Sequence, residues 1–97
     1  MARPISRASG ASSTVATLKS LGDIVRSQRS ASALRIDDAA SLSGVSVDLL
    51  SRLENGRSGV GTDKVLKVLD ALGLAMLVVP KEQLAAAIRV LRSTENS

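Results

Sequence analysis

At 97 residues, with 44% apolar side chains but no Phe, Tyr or Trp, the chain has room for one domain, its core drawn from Leu, Val, Ile and Ala. Thirteen Lys and Arg against 9 Asp and Glu give a formal net charge of +4 and a pI near 10.4, which points toward a polyanion, although solvated basic faces are common. The absence of Cys and His excludes a disulfide framework, a conventional zinc site and the usual general base, and no run approaches the roughly 20 apolar residues that cross a bilayer. The expectation is a cytoplasmic, nucleoid-associated bacterial protein that is not an enzyme and has no cofactor, metal, membrane or small-molecule substrate.

From Met1 to Thr17, Ser, Ala, Gly and Pro dominate without a sustained apolar period, which predicts a flexible basic arm carrying Arg3 and Arg7. An organelle transit peptide has a similar composition, but the amphipathic period here is poor. Through Ile36 the charge is one-sided, with Arg3, Arg7, Lys19, Arg26, Arg29 and Arg35 against Asp23 alone. The first helix is predicted from Leu18 to about Ser30, with Leu21, Ile24, Val25 and Gln28 on one face. A second runs from Ile36 to Ser43, its first turn favoured by Asp37 and Asp38 at the positive end of the helix dipole.

Gly44 then tolerates positive φ, Val45 serves as an apolar plug, and Ser46 is a suitable N-cap for a third helix that ends in Asn55-Gly56. A fourth helix opens at Thr62-Asp63-Lys64, capped by Thr62 or Gly61, with Val65, Leu66, Leu69 and Leu72 inward and Gly73 as the stop. Ala75 to Val79 is a continuous apolar run with β-branched residues closed by Pro80, and it reads as a short strand. Lys81 to Leu91 forms a last helix with Leu84, Ile88 and Leu91 on one face, followed by a tail.

Two short helices joined through Ala40-Ser41-Leu42-Ser43-Gly44-Val45-Ser46 have the spacing of a helix-turn-helix. That geometry requires a small residue where the helices cross, a glycine in the turn and apolar plugs beyond it. Ala40, Gly44, Val45, Leu50 and Leu53 meet those demands, although an ordinary helical hairpin has a similar spacing. Beyond the turn, Leu50-Ser51-Arg52-Leu53-Glu54-Asn55-Gly56-Arg57 and Val68-Leu69-Asp70-Ala71-Leu72-Gly73 extend the pattern. The stretch from Leu21 to Gly73 thereby resembles the Cro and phage-repressor-like (Xre) family of five-helix DNA-binding domains.

The resemblance implies that Val47, Asp48, Leu49, Ser51 and Arg52 form the base-reading face of the recognition helix. Arg52 is the strongest donor, since a guanidinium can bond guanine O6 and N7 for about 1–3 kcal/mol of discrimination. A phosphate contact or a solvated charge is the plainer role for it. Val47 and Leu49 offer methyl groups to thymine, though the spacing of Leu49 also fits the core, and Asp48 can accept from cytosine N4 or orient Arg52. Phosphate contacts are expected from Arg35, Ser46, Arg57, Ser58 and Lys64. Arg29 and Glu54 match the family's architectural pair. The family's usual Thr-Gln opening of helix two is Arg35-Ile36 here, and Ile36 cannot make the bond of that glutamine to a phosphate.

A strand appended to a helical domain leaves its backbone groups unpaired, and the simplest partner is the same strand of a second copy. Met76, Leu77, Val78 and Val79 would then form the interface of a homodimer whose two recognition helices meet a palindromic operator in double-stranded DNA. A domain followed by such a strand is similar to the HipB-type antitoxins, which implies autoregulation of an operon and a HipA-type kinase toxin as partner. A stand-alone Xre-type regulator, the antitoxin of another toxin class and a pure protein-interaction module are the alternatives. The expected organisation is an arm over 1–17, a five-helix DNA-binding domain over 18–73, a dimerisation strand over 74–80, and a C-terminal helix and tail over 81–97, in a mostly α fold.

Overall fold

The computed structural model describes residues 14–95, so the expected arm lies largely outside the described residues, as do Arg3 and Arg7. Among the described residues five α-helices form: α1 (Leu18–Ala31), α2 (Ile36–Ser43), α3 (Val47–Glu54), α4 (Thr62–Ala71) and α5 (Leu84–Glu95), the last entered through a 3₁₀ turn over Lys81–Gln83. Four of them lie within residues 18–73, where five were expected, and the fifth is the C-terminal helix, beyond residues 74–80, which have no regular secondary structure.

Helix α1 starts where Thr17, in extended conformation, accepts the Ser20 N–H on its hydroxyl at 3.0 Å while the Ser20 hydroxyl accepts the Thr17 N–H at 3.1 Å. This reciprocal cap satisfies two amides that the first turn leaves free. The inward stripe of α1 is Leu21, Gly22 and Val25, and the Gln28 side chain donates to the Leu72 carbonyl at 3.0 Å, closing the end of α4 onto α1.

The core joins these residues to Ala39 and Ala40 of α2, Leu50 and Leu53 of α3, and Val65, Val68, Leu69 and Leu72 of α4 and its cap, with Leu34, Ile36, Val45, Val60 and Leu74 packed around it. Ile36 spends its side chain on this packing. Leu66 does not point inward as its sequence reading expected: it is half exposed, and Val68 takes the core position with none of its surface accessible. Val65, Val68, Leu69 and Leu72 follow the i, i+3, i+4, i+7 stripe of an α-helix, and Leu66 falls off it by one residue.

The expected strand is corrected. Residues 74–80 leave the Gly73 stop with no regular hydrogen bonding, and no strand forms among the described residues. The physical reason is that a ladder needs a second extended edge, and α1–α4 offer only helices whose backbone groups are already paired. The segment nonetheless carries its apolar side chains outward, with Met76 49%, Leu77 65% and Val78 84% exposed and Val79 half-buried. It separates α4 from α5, whose Leu84 and Ile88 turn toward an apolar groove of about 660 Å³ shared with Leu21, Ile24 and Leu69. Among the described residues no helix is long and apolar enough to cross a membrane.

Candidate nucleic-acid interface

The link between α2 and α3 is three residues long, and each has a separate task. Gly44 takes the left-handed conformation (φ 73°, ψ 32°), a region that costs an L side chain about 1–2 kcal/mol. Its N–H donates to the Ser41 carbonyl, and the Val45 N–H reaches back to the Ala40 carbonyl at 3.0 Å, ending α2. Val45 tucks against the core. Ser46, extended, accepts the Leu49 N–H on its hydroxyl at 3.0 Å and starts α3, a cap worth about 1 kcal/mol. Ala39 and Ala40 are buried and small, so the two helices cross closely.

Helix α3 is locked by Leu50 and Leu53, which are 0% and 3% exposed. On the opposite side Val47, Asp48 and Arg52 are exposed, and Ser51 lies half-buried at the edge. Leu49 is half-buried at the margin of this face and is not among the residues packed on the core. The outward face is therefore narrow, with an apolar residue, an acid, a hydroxyl and a guanidinium.

The back of α3 is tied to α1 by charge. Arg29 grips Glu54 with two hydrogen bonds, from Nε at 2.6 Å and Nη2 at 2.9 Å, and donates a third from Nη1 to the Leu34 carbonyl at 3.0 Å. This pairing raises the Arg29 pKa above its ordinary value, chiefly through the hydrogen bond to Glu54. Arg26 adds a longer contact to Glu54 at 3.5 Å and donates to the Asn55 Oδ1 at 3.1 Å. Asn55 in turn donates from its amide to the Ser51 carbonyl at 2.7 Å. Asn55 was legible in sequence only as a helix terminator; its side chain also braces the end of α3.

Arg29→Ala is expected to cost about 2 kcal/mol, because it strands the Glu54 carboxylate, 2% exposed, with only the partial compensation of Arg26. Urea unfolding followed by circular dichroism measures it. A loss below about 0.5 kcal/mol, the level of a surface pair, would show that the bridge is not structural.

The expected phosphate contacts divide. Arg57 and Ser58 are exposed, Lys64 is half-buried in the first turn of α4, and neither cation enters an ion pair among the described residues. Arg35 is exposed but its guanidinium pairs with Asp37, at 3.2 Å from Nε and 3.3 Å from Nη2. Ser46 commits its oxygen to the cap and keeps its hydroxyl proton for donation. Arg52 does not project freely: its Nη2 donates to the Ser58 carbonyl at 2.9 Å, folding the side chain over the loop that leads to α4.

Two short helices crossing at alanines, a left-handed glycine between them, and a second helix with one face buried and one open define a helix-turn-helix. The chain belongs to a family of helix-turn-helix domains of the Xre/Cro-like kind, whose pattern matches residues 20–79. The match takes in α1 from its third residue, the whole of α2, α3 and α4, and the following segment almost to Pro80. No curated protein matches the chain.

Proposed function

We propose that the chain is a sequence-specific transcriptional repressor that binds double-stranded operator DNA as a two-fold dimer and acts by binding alone, without catalysis. The carrying observation is α3 itself, anchored through Leu50, Leu53 and Glu54 while Val47, Asp48, Ser51 and Arg52 line its open side. A helix held this way enters a major groove as a rigid unit, and membership of a helix-turn-helix family supports DNA as the partner. Arg57, Ser58 and Lys64 supply phosphate contacts beside it, and Arg35 joins them if it exchanges Asp37 for a phosphate.

Because the open face of α3 holds one acid and one cation, affinity rests on phosphates and on pairing two half-sites more than on base contacts. The segment after Gly73 supplies the pairing surface. Its amides from Ala75 to Val79 donate to no backbone carbonyl among the described residues. The likeness of this arrangement to HipB-type antitoxins extends the proposal to an antitoxin that represses its own operon and binds a HipA-type kinase toxin. Co-purification with the product of the adjacent reading frame tests that extension, and a neighbouring frame with no kinase-like sequence would leave the stand-alone repressor.

Selection from a random duplex pool tests DNA recognition. The expected product is a palindrome with half-site centres about 34 Å apart, bound with an affinity that falls steeply as salt rises. Enrichment of no duplex would defeat the proposal.

A further inference from the structure

The loop between α3 and α4 is built around one side chain. The Arg57 N–H returns to the Arg52 carbonyl at 3.0 Å, and the Arg52 guanidinium closes the other side by donating to the Ser58 carbonyl at 2.9 Å. The next residue is Gly59, at φ 88°, and a Cβ built there would lie 2.9 Å from Arg52 Nη2. The guanidinium thus lies against a backbone that has no side chain in its way. It forms an eyelet in which residues 57–59 are held by the same residue from both its main chain and its side chain.

We propose that Arg52 is a positioning residue that fixes the Ser58–Gly61 loop so that Arg57, the Ser58 hydroxyl and the loop amides meet one DNA phosphate together, rather than a reader of bases. The proposal rests on the DNA-binding reading above. A guanidinium reading guanine turns its fork of donors to the base edge, whereas here Nη2 is committed to a carbonyl six residues along the chain. The amides of Ser58, Gly59, Val60 and Gly61 donate to no backbone carbonyl among the described residues, which leaves them open to an anion. The side chain of Arg57 beside them carries an unpaired positive charge among the described residues. Holding this loop before DNA arrives removes an ordering cost from binding without selecting any sequence.

Two measurements on the full chain separate positioning from reading. One is the affinity of Arg52→Ala and Arg52→Lys for the selected duplex and for each single base-pair variant of it. The other is the backbone ¹⁵N order parameter at residues 58–61 of the free protein. Arg52→Ala is expected to weaken every duplex by the same factor, roughly tenfold as for a lost charge-assisted contact, and to drop the order parameters from about 0.85 toward 0.6. Arg52→Lys, which still offers a donor to the carbonyl, is expected to recover much of both. Lost preference at one base pair with unchanged order parameters would make Arg52 a reader and overturn the proposal. Unchanged order parameters in Arg52→Ala overturn the latch itself, whatever the DNA result. If the wild-type chain selects no duplex, the DNA-binding reading falls and takes the phosphate role with it, and the order parameters still decide whether Arg52 holds the loop.

Discussion

Gly22→Ala is expected to destabilise the domain by about 3 kcal/mol, the upper part of the range for overpacking a close contact. In an open helix the same change would stabilise, because alanine is the better helix former by about 1 kcal/mol. The sign reverses here because α1 lies directly on the end of α3. A Cβ at Gly22 would press on the Leu53 carbonyl oxygen and stand 2.7 Å from that of Glu54. Both are main-chain atoms of α3 and its terminus, so the clash cannot be relieved by a rotamer change. It has to push α1 away, and that movement also pulls Arg29 from Glu54 and loosens Leu21 and Val25 from the core.

For a domain of this size each kcal/mol corresponds to about 4–8 °C in melting temperature, so a fall of roughly 12–24 °C should be seen by thermal circular dichroism. Gly73→Ala is the useful comparison: its φ of 75° strains a side chain, but no atom stands within 4 Å of the added Cβ. It should lose about 1 kcal/mol, as expected for backbone strain alone. A Gly22→Ala protein that melts no lower than wild type would mean that α1 and α3 are not in this contact.

The helix-turn-helix was legible because its determinants are local. Asp37 and Asp38 begin α2, Gly44 ends it, and Ser46 begins α3, each acting within three or four residues of itself. The Arg29–Glu54 bridge was expected from the family resemblance, and the two residues do meet. Contacts that depend on how elements cross were not visible. Gly22 looks like a weak point of an amphipathic helix until the carbonyls of α3 are placed against it. Arg52 reads as an exposed cation on an open face, and its bond to Ser58 exists only because the chain turns at Gly56 and again at Gly59, both with positive φ.

Leu66 was misplaced because two adjacent leucine-like residues, Val65 and Leu66, both precede a periodic run, and only the full stripe through Val68 and Leu72 decides between them. The apolar run at Ala75 to Val79 reads as a strand, yet it has no regular secondary structure, because a ladder is a property of two segments. One chain's sequence contains only half of it.

If the proposed two-fold dimer forms through the segment after Gly73, Val78→Asp is expected to give a monomer without destabilising its fold, and to weaken operator binding by about 100-fold or more. Val78 is 84% exposed and outside the buried core, at the border of the groove lined by Leu84 and Ile88, so aspartate there disturbs little packing within the chain, and the melting temperature of the isolated domain should hold. In a dimer the same side chain would be desolvated beside its two-fold mate, where two like charges meet in apolar surroundings with Met76 and Leu77. The large effect on DNA follows from linkage of the half-sites. On the proposed reading a single sparsely equipped α3 would bind weakly, and joining two would raise avidity by about 10²–10⁴ without any new contact. Sedimentation velocity and a duplex titration at constant salt measure both consequences. A variant that stays dimeric would move the interface to α5, where Val90 is 63% and Leu91 38% exposed. A variant that is monomeric yet binds the operator as wild type does would instead show that one helix-turn-helix suffices, and that the segment over 74–80 serves another partner.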